Sequence, residues 1–370
     1  MRAAAASRRT EVPVDRLAVS AYRVPTDRPE SDGTARWEST TVVLVEIDAG
    51  GARGTGWSYA SAAAATVIDE TLAPIVRGAN ALDTRAVWTR MNGAVRNAGR
   101  SGIASYAIAA VDVALWDLRA RLHGLALCDL IGLARETVPA YGSGGFTSYD
   151  ERALQEQLGG WAQAGFHAVK MKVGRDHRRD VARATSARDA IGPRCELFVD
   201  GNGGYNVPEA IAIAQEFARL GVTWFEQPVD HRDLDGTRRV REHAPPGMAI
   251  ASGEYVTDTA DAALVAPVVD VLQADATRCG GLTGLLAVDG FCEVNRLPLS
   301  AHCGPALHLH AAAACLRLRH MEYFHDHVRI ERMLFDGVVE PVGGTLRPDR
   351  SRPGHGLAFK HADAARFALT

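Results

Sequence analysis

From residue 138 to residue 323, short apolar runs alternate with longer amphipathic stretches, and this alternation is the strongest pattern in the chain. The runs fall at 138–142, 168–173, 196–200, 222–226, 248–253, 271–275, 298–302 and 320–323. Between them, stretches such as 207–220 and 281–295 carry apolar residues at helical spacing and are long enough for crossover helices. Strands that alternate with helices predict a parallel sheet, and eight of them favour a closed (β/α)₈ barrel over an open doubly wound sheet.

The first third of the chain reads differently. Two strand-like runs, at 16–23 and 40–47, are joined by a polar stretch from Pro25 to Thr34 that is too polar to bury. Helical patterns follow. The clearest spans 105–123, where Ile108, Val111, Leu115, Leu118 and Leu122 recur at three- and four-residue spacing before Gly124. The pattern predicts an α/β protein of four parts: a frayed start at 1–11, an α+β capping domain at 12–135, the barrel at 136–329, and a segment at 330–370 that returns to the cap.

In barrels of this type the chemistry sits at the C-terminal ends of the strands. Nearly every predicted strand here ends on or near an ionisable residue. In Val169-Lys170-Met171-Lys172-Val173, alternation turns the apolar residues toward the helices and both lysines toward the interior. Two buried ammonium groups need carboxylates, a metal or an anionic substrate. Asp200, Glu226 and Glu254 each follow a strand, and three converging carboxylates would repel one another without a hard cation such as Mg2+. Asp275 and His302 end consecutive strands, so the carboxylate can fix the imidazole tautomer and leave the other nitrogen free for proton transfer.

Composition narrows the partners. Forty-one basic residues against 44 acidic ones leave a net charge of −3, which gives no global bias toward nucleic acid or a membrane surface. No run of about 18 apolar residues is present to span a bilayer. The start, with Arg2, Arg8 and Arg9 around four alanines, is too short in apolar residues for a signal peptide. The six cysteines lack paired metal-site spacing and read as reduced thiols of a cytoplasmic protein. Gly201-x-Gly203-Gly204 lacks the full spacing of a dinucleotide fingerprint.

Taken in order, these residues resemble the enolase superfamily, specifically its mandelate racemase subgroup, over most of the chain. The resemblance rests on Ala109-Ala110-Val111-Asp112-Val113-Ala114-Leu115-Trp116-Asp117-Leu118, Lys170-x-Lys172, Asp200-x-Asn202, Glu226-Gln227-Pro228, Gly253-Glu254, Gln273-x-Asp275 with Gly280-Gly281, His302 and Glu322. It implies a magnesium-dependent enzyme that abstracts the proton next to a substrate carboxylate, with Lys172 and His302 as bases and an enediolate stabilised as it forms. It further implies that Lys170 supports the other carboxylate oxygen or the base, that a protonated Glu322 donates a hydrogen bond, and that the chain is a homo-oligomer. Lys172 would need a depressed pKa, which Lys170 and the nearby cation would favour.

Asn202 fits a substrate contact, and the polar loop at 24–37 with Gly56-Trp57-Ser58-Tyr59 is the expected lid. Within or beside it, Arg23, Arg28 and Trp37 could meet a polyol chain. A small carboxylate substrate and a polar lid favour an acid sugar dehydratase yielding a 2-keto-3-deoxy acid. The alternatives are a racemase or epimerase of a 2-hydroxy acid and, more remotely, a non-catalytic carboxylate-binding protein. The run His325-Asp326-His327 could hold a second metal, but hydrogen bonding in a loop explains it equally well.

Overall fold

The computed structural model describes residues 11–369, and in it the alternating half of the chain closes on itself. The strands are β4 (Val138–Gly144), β5 (Ala168–Lys172), β6 (Glu196–Asp200), β7 (Val222–Glu226), β8 (Ala249–Ser252), β9 (Val271–Ala274), β10 (Leu299–Ala301) and β11 (Leu318–Phe324). Each pairs in parallel with the next, and β11 returns to β4 through Met321 opposite Ala140 and Phe324 opposite Ser143. The expected eight-stranded barrel is therefore present, with strand ends shifted by a residue or two.

Alternation decides what each strand presents. On β5, Val169 and Met171, with Val173 just beyond, pack among Leu154, Leu158, Ala184 and Ala187 of the surrounding helices. The lysines between them face the lumen. One layer deeper, Tyr141, Phe198 and Trp224 fill the interior with Ala251 and Val271. Phe198 and Trp224 stand two residues before Asp200 and Glu226 on the same strand faces, so these rings form the apolar floor on which the carboxylates rest.

The cap begins with an antiparallel sheet of β1 (Val14–Ser31), β2 (Arg36–Ala49) and β3 (Ala52–Tyr59). The helix Ile103–Leu122 lies between this sheet and the barrel, which is why it is buried on nearly every face. Ile108, Val111, Leu115 and Leu118 meet the cap core, whereas Val113, Trp116 and Ala120 meet the barrel core. Its approach to β3 is close enough to require glycine: a Cβ on Gly56 would stand 2.4 Å from the Ala110 carbonyl oxygen. Asp112 of this helix accepts from the Thr283 backbone and hydroxyl at 2.8 and 2.7 Å, fastening cap to barrel.

After the barrel, Thr345–Leu346 pairs antiparallel with the start of β4. The chain then reaches the cap, where His355 Nε2 meets the Thr55 carbonyl at 2.8 Å and the Leu369 amide donates to the Ala21 carbonyl. The expected frayed start lies, apart from Glu11, outside the described residues.

One expectation fails in part. Most of the polar stretch after Pro25 is exposed or half-buried, but β1 runs on to Ser31 and pairs Glu30 with Trp37 and Ser31 with Arg36. The resulting arm lies on the barrel loops, and Glu30 and Ser31 are fully or almost fully buried. Ser31 Oγ and Thr147 Oγ1 are 2.6 Å apart, Thr34 Oγ1 donates to the Asn202 carbonyl, and Arg175 donates to the carbonyls of Asp32 and Ala35. Polar side chains are buried here because a second polar surface, the barrel rim, satisfies them.

Candidate active site

Parallel strands deliver their last side chains to one rim, and the arm roofs that rim to leave a cavity of about 490 Å³. Lys172, Asn202, Glu254 and His302 line it from the barrel, and Trp37, Thr40 and Tyr59 line it from the cap. Lys170, Asp200, Glu226, Asp275 and Glu322 are buried among the same strand ends and contact these lining groups or one another. Arg23 is exposed and does not line the cavity, so the structure does not bring it to the other candidates. The reason is parity: on β1, Tyr22 and Val24 take the buried face and leave Arg23 the outer one.

Each cationic side chain is paired with at least one carboxylate. Lys172 Nζ stands 2.5 Å from Asp200, Lys170 Nζ 2.7 Å from Glu226, and His302 Nε2 2.9 Å from Glu254. Lys170 also touches Glu322 at 2.8 Å. Each predicted carboxylate ligand therefore carries a cationic side chain. Such a set fits a hard cation, because three anionic oxygens on neighbouring strands already hold concentrated positive charge. The buried Gln227 Oε1 and the Asn202 Oδ1 have no partner at the same rim and add neutral oxygen donors.

Among the side chains alone, charge balance runs opposite to two expectations held for the metal-bound site. Burial works against the Lys172 ammonium and Lys170 repels it, but Asp200 outweighs both, so its pKa is raised and not depressed. Lys170 is likewise raised, since Glu226 and Glu322 more than offset its burial. Glu322 is drawn toward its charged form by its cationic neighbours. Although burial opposes its charge, Lys170 and His302 hold it well below the usual carboxylate range. It accepts from Ser143 Oγ at 2.5 Å and from the Cys303 amide at 3.0 Å. Glu226 is pushed up to about 7, first by burial and then by Asp200, with Lys170 opposing.

The dyad has the expected form. His302 Nδ1 is 2.8 Å from Asp275 Oδ2, which leaves Nε2 on the cavity side. Burial disfavours the imidazolium, but the carboxylates of Glu254 and Glu322 hold its pKa well above the usual histidine range. The Cys303 thiol, 3.3 Å from Nε2, stays protonated because burial pushes it up to about 12.

Backbone strain concentrates at the same rim. Asn202, Gln227 and Cys303 have φ of 45°, 38° and 51°, a region that costs a non-glycine residue roughly 1–2 kcal/mol. The turns aim amides at the site: Asn202 N–H donates to Asp200 at 3.0 Å and Cys303 N–H to Glu322.

Sequence reasoning missed Arg278, Tyr255, Tyr106, Cys303 and His327 in the lining. Arg278 lies 3.7 Å from Glu254 and 3.6 Å from Asp275, and those carboxylates raise its pKa despite burial. Its place three residues after Asp275 was the only local signal. His327 stacks on Tyr59 with ring centroids 3.4 Å apart, a cap-to-barrel contact with no signature along the chain. The run His325-Asp326-His327 does not converge: Asp326 binds Thr40 and Arg329, His327 accepts from the Gly304 amide, and His325 meets Asp27 at 3.0 Å.

Comparison with known proteins agrees with this architecture. Residues 153–364 match the model described as enolase C-terminal domain-like, and residues 18–132 match the N-terminal domain of mandelate racemase and muconate lactonizing enzyme. A mandelate racemase/muconate lactonizing enzyme-like protein from Rubrobacter xylanophilus has a TM-score of 0.95 at 52% identity, covering 96% of this chain and 100% of that one. The curated 3,6-anhydro-alpha-L-galactonate cycloisomerase of Streptomyces coelicolor is 31% identical over 96% of this chain and 99% of its own length. L-talarate/galactarate dehydratase of Salmonella typhimurium is 29% identical over 93% of this chain and 87% of its own. A crystal structure of that dehydratase, liganded with Mg and L-lyxarohydroxamate, has a TM-score of 0.90 at 26% identity over 100% of this chain and 96% of that one.

Proposed function

Because the chain belongs to the mandelate racemase/muconate lactonizing enzyme family, we propose that it removes the proton α to an acid sugar carboxylate and then expels the β-oxygen substituent as water. One observation carries this reading. Lys172 and His302 line a single cavity, each backed by its own carboxylate, so two proton-transfer groups reach one substrate. The relatives include acid sugar dehydratases and cycloisomerases, and solved neighbours contain magnesium.

Asp200, Glu226 and Glu254 would hold Mg2+, which when bound neutralises the charge that grows on the substrate carboxylate as the proton leaves. Lys172 must first surrender its own proton to act as base, and the like charge of Lys170 favours that loss. Asp275 keeps His302 oriented through Nδ1, so the proton on Nε2 is directed into the cavity. Transferred to the departing hydroxyl, that proton completes the elimination. The resulting enol then tautomerises to the 2-keto-3-deoxy acid. Asn202 and Trp37 would contact the polyol chain.

A second reading is favoured by the cycloisomerase relative. The same α-proton abstraction can open a ring when the β-oxygen is a ring oxygen, and the product is then an isomer of the substrate. A screen of open-chain, lactonised and anhydro sugar acids in deuterated water distinguishes the outcomes. Dehydration yields a 2-keto acid that has lost one water, ring opening yields a keto isomer of the substrate, and each carries one solvent deuterium at the former β-carbon. Interconversion of epimers with deuterium uptake and no keto acid would identify a racemase and overturn the elimination. No exchange with any sugar acid would overturn the acid sugar assignment.

A further inference from the structure

Outside the active site, the arm and the barrel bring together three ligand-bearing side chains. Asp27 and Glu30 lie on the arm, Asp27 within the interruption of the β1–β2 ladder that spans Pro25 to Glu30. His325 opens the helix His325–Leu334 at the end of β11. One ligand atom from each of the three lies within 4.8 Å of the others. His325 Nε2 is already 3.0 Å from Asp27 Oδ2. Asp27 and His325 also line an open cavity of about 410 Å³ beside Arg28 and Tyr149, so an ion has a way in.

An independent observation shows that this cluster lacks something. Glu30 is fully buried, and although its Oε2 accepts from the Trp37 indole at 2.8 Å, its Oε1 has no partner. A buried carboxylate oxygen without a donor costs on the order of 1–3 kcal/mol, and such groups are rare. Arg329 attracts the Glu30 carboxylate through its charge, but its Nη2 donates to Asp326 and the Pro25 carbonyl. Burial first, then the charges of Asp326 and Asp27, push the Glu30 carboxyl up to about 9.

We propose that Asp27, Glu30 and His325 form a binding site for a divalent transition-metal ion of the zinc class, separate from the barrel carboxylates. An imidazole with two carboxylates and a water suits zinc-like ions, whereas magnesium prefers an all-oxygen shell. Two carboxylates and a neutral imidazole balance the ion's two charges. The ion takes the place of the proton on Glu30, and the ring hydrogen of a neutral His325 sits on Nδ1 when Nε2 binds the ion, so binding releases the Glu30 proton. It also clasps the arm to the barrel. Because Glu30 holds the Trp37 indole, and Trp37 lines the active cavity, occupancy fixes one wall of the substrate site.

The test is calorimetric titration of Zn2+ into chelator-stripped protein that has been resaturated with excess Mg2+. We expect one zinc site per chain, weakened in His325→Ala and in Asp27→Asn by about tenfold or more, since even outer-shell partners of a metal are worth that much. Both residues are partly exposed, so the variants should fold, and unchanged melting without zinc checks that. At equal zinc concentration the melting temperature of the wild type should rise more than that of His325→Ala. His302, Cys303 and Glu322 form a competing cluster. Zinc binding retained in His325→Ala and lost in Cys303→Ser would assign the ion there and overturn the proposal. Equal binding by His325→Ala and wild type, or no binding by either, would overturn it too.

Discussion

The barrel rim and the arm that roofs it form one cavity by opposite means. At the rim, local alternation places each side chain: parity sends Lys170 and Lys172 inward, and Asp200 and Glu226 end neighbouring strands in register. On the arm, position comes from contacts more than 100 residues away, such as Ser31 with Thr147, Thr34 with Asn202 and Thr40 with Asp326. The rim is charged and almost fully buried, whereas the arm is polar, mixed in exposure and satisfied by hydrogen bonds. A rigid rim fitted with charges suits a reaction step common to many substrates, and a docked arm suits the choice among them. Changes at the rim should therefore abolish chemistry, and changes on the arm should alter recognition.

The largest effect is expected from the two bases. Lys172→Ala and His302→Asn should each reduce turnover roughly 10²–10⁴-fold, the usual worth of a positioned acid or base. Deuterium exchange separates their roles: His302→Asn should retain α-proton exchange while losing elimination, and Lys172→Ala should lose both. The reverse pattern would exchange the two assignments. Near wild-type turnover in both variants would remove the rim from the chemistry.

Next is the metal. Chelation should abolish turnover and Mg2+ restore it. Glu226→Gln should weaken magnesium binding on the order of 10–100-fold, read by activation curves and by calorimetry, because a neutral amide holds a hard cation poorly. Full activity in metal-free protein would contradict the rim's charge arrangement.

On the arm the effect should be smaller and of another kind. Trp37→Ala removes the edge contact with Phe146 at 5.7 Å and the indole donor to Glu30. We expect KM to rise about tenfold, equivalent to about 1.4 kcal/mol of binding, with kcat changed far less. A kcat loss as large as that of the base variants would erase the distinction between rim and arm.

The smallest effect concerns the seam where barrel and C-terminal segment meet. His310 is buried, accepts from the Cys128 amide, and is held neutral chiefly by burial, its pKa lowered to about 4. The folded pKa lies below the unfolded value, so the unfolded chain binds the extra proton and stability falls as pH drops through that window. Denaturant melts between about pH 7.5 and about pH 5 should show His310→Gln losing about 2 kcal/mol less than wild type. Equal slopes would show that His310 has the same pKa in the folded and unfolded chain.

How much of this was legible follows the same division. All eight barrel strands stood out because each is a short apolar run between amphipathic helices, and the rim residues stood out because their places depend only on strand parity and strand ends. The position of Lys172 was legible, whereas the pull of Asp200 on its charge acts across a strand pair and was not. The polar run after Pro25 looked unburiable because no local pattern announces a polar partner surface. Arg23 was chosen for its type, yet its parity on β1, between the buried Tyr22 and Val24, sets its face outward.

The sequence by itself therefore determined the barrel, its direction and the identity of the ionisable groups at its mouth, because periodicity and strand-end position are local properties. Tertiary structure alone decided which carboxylate meets which cation, that Arg278 and His327 enter the cavity, and that Glu30 is buried beside Asp27 and His325. Those outcomes depend on how distant surfaces dock, where the energy of each polar group is set by the partner it finds.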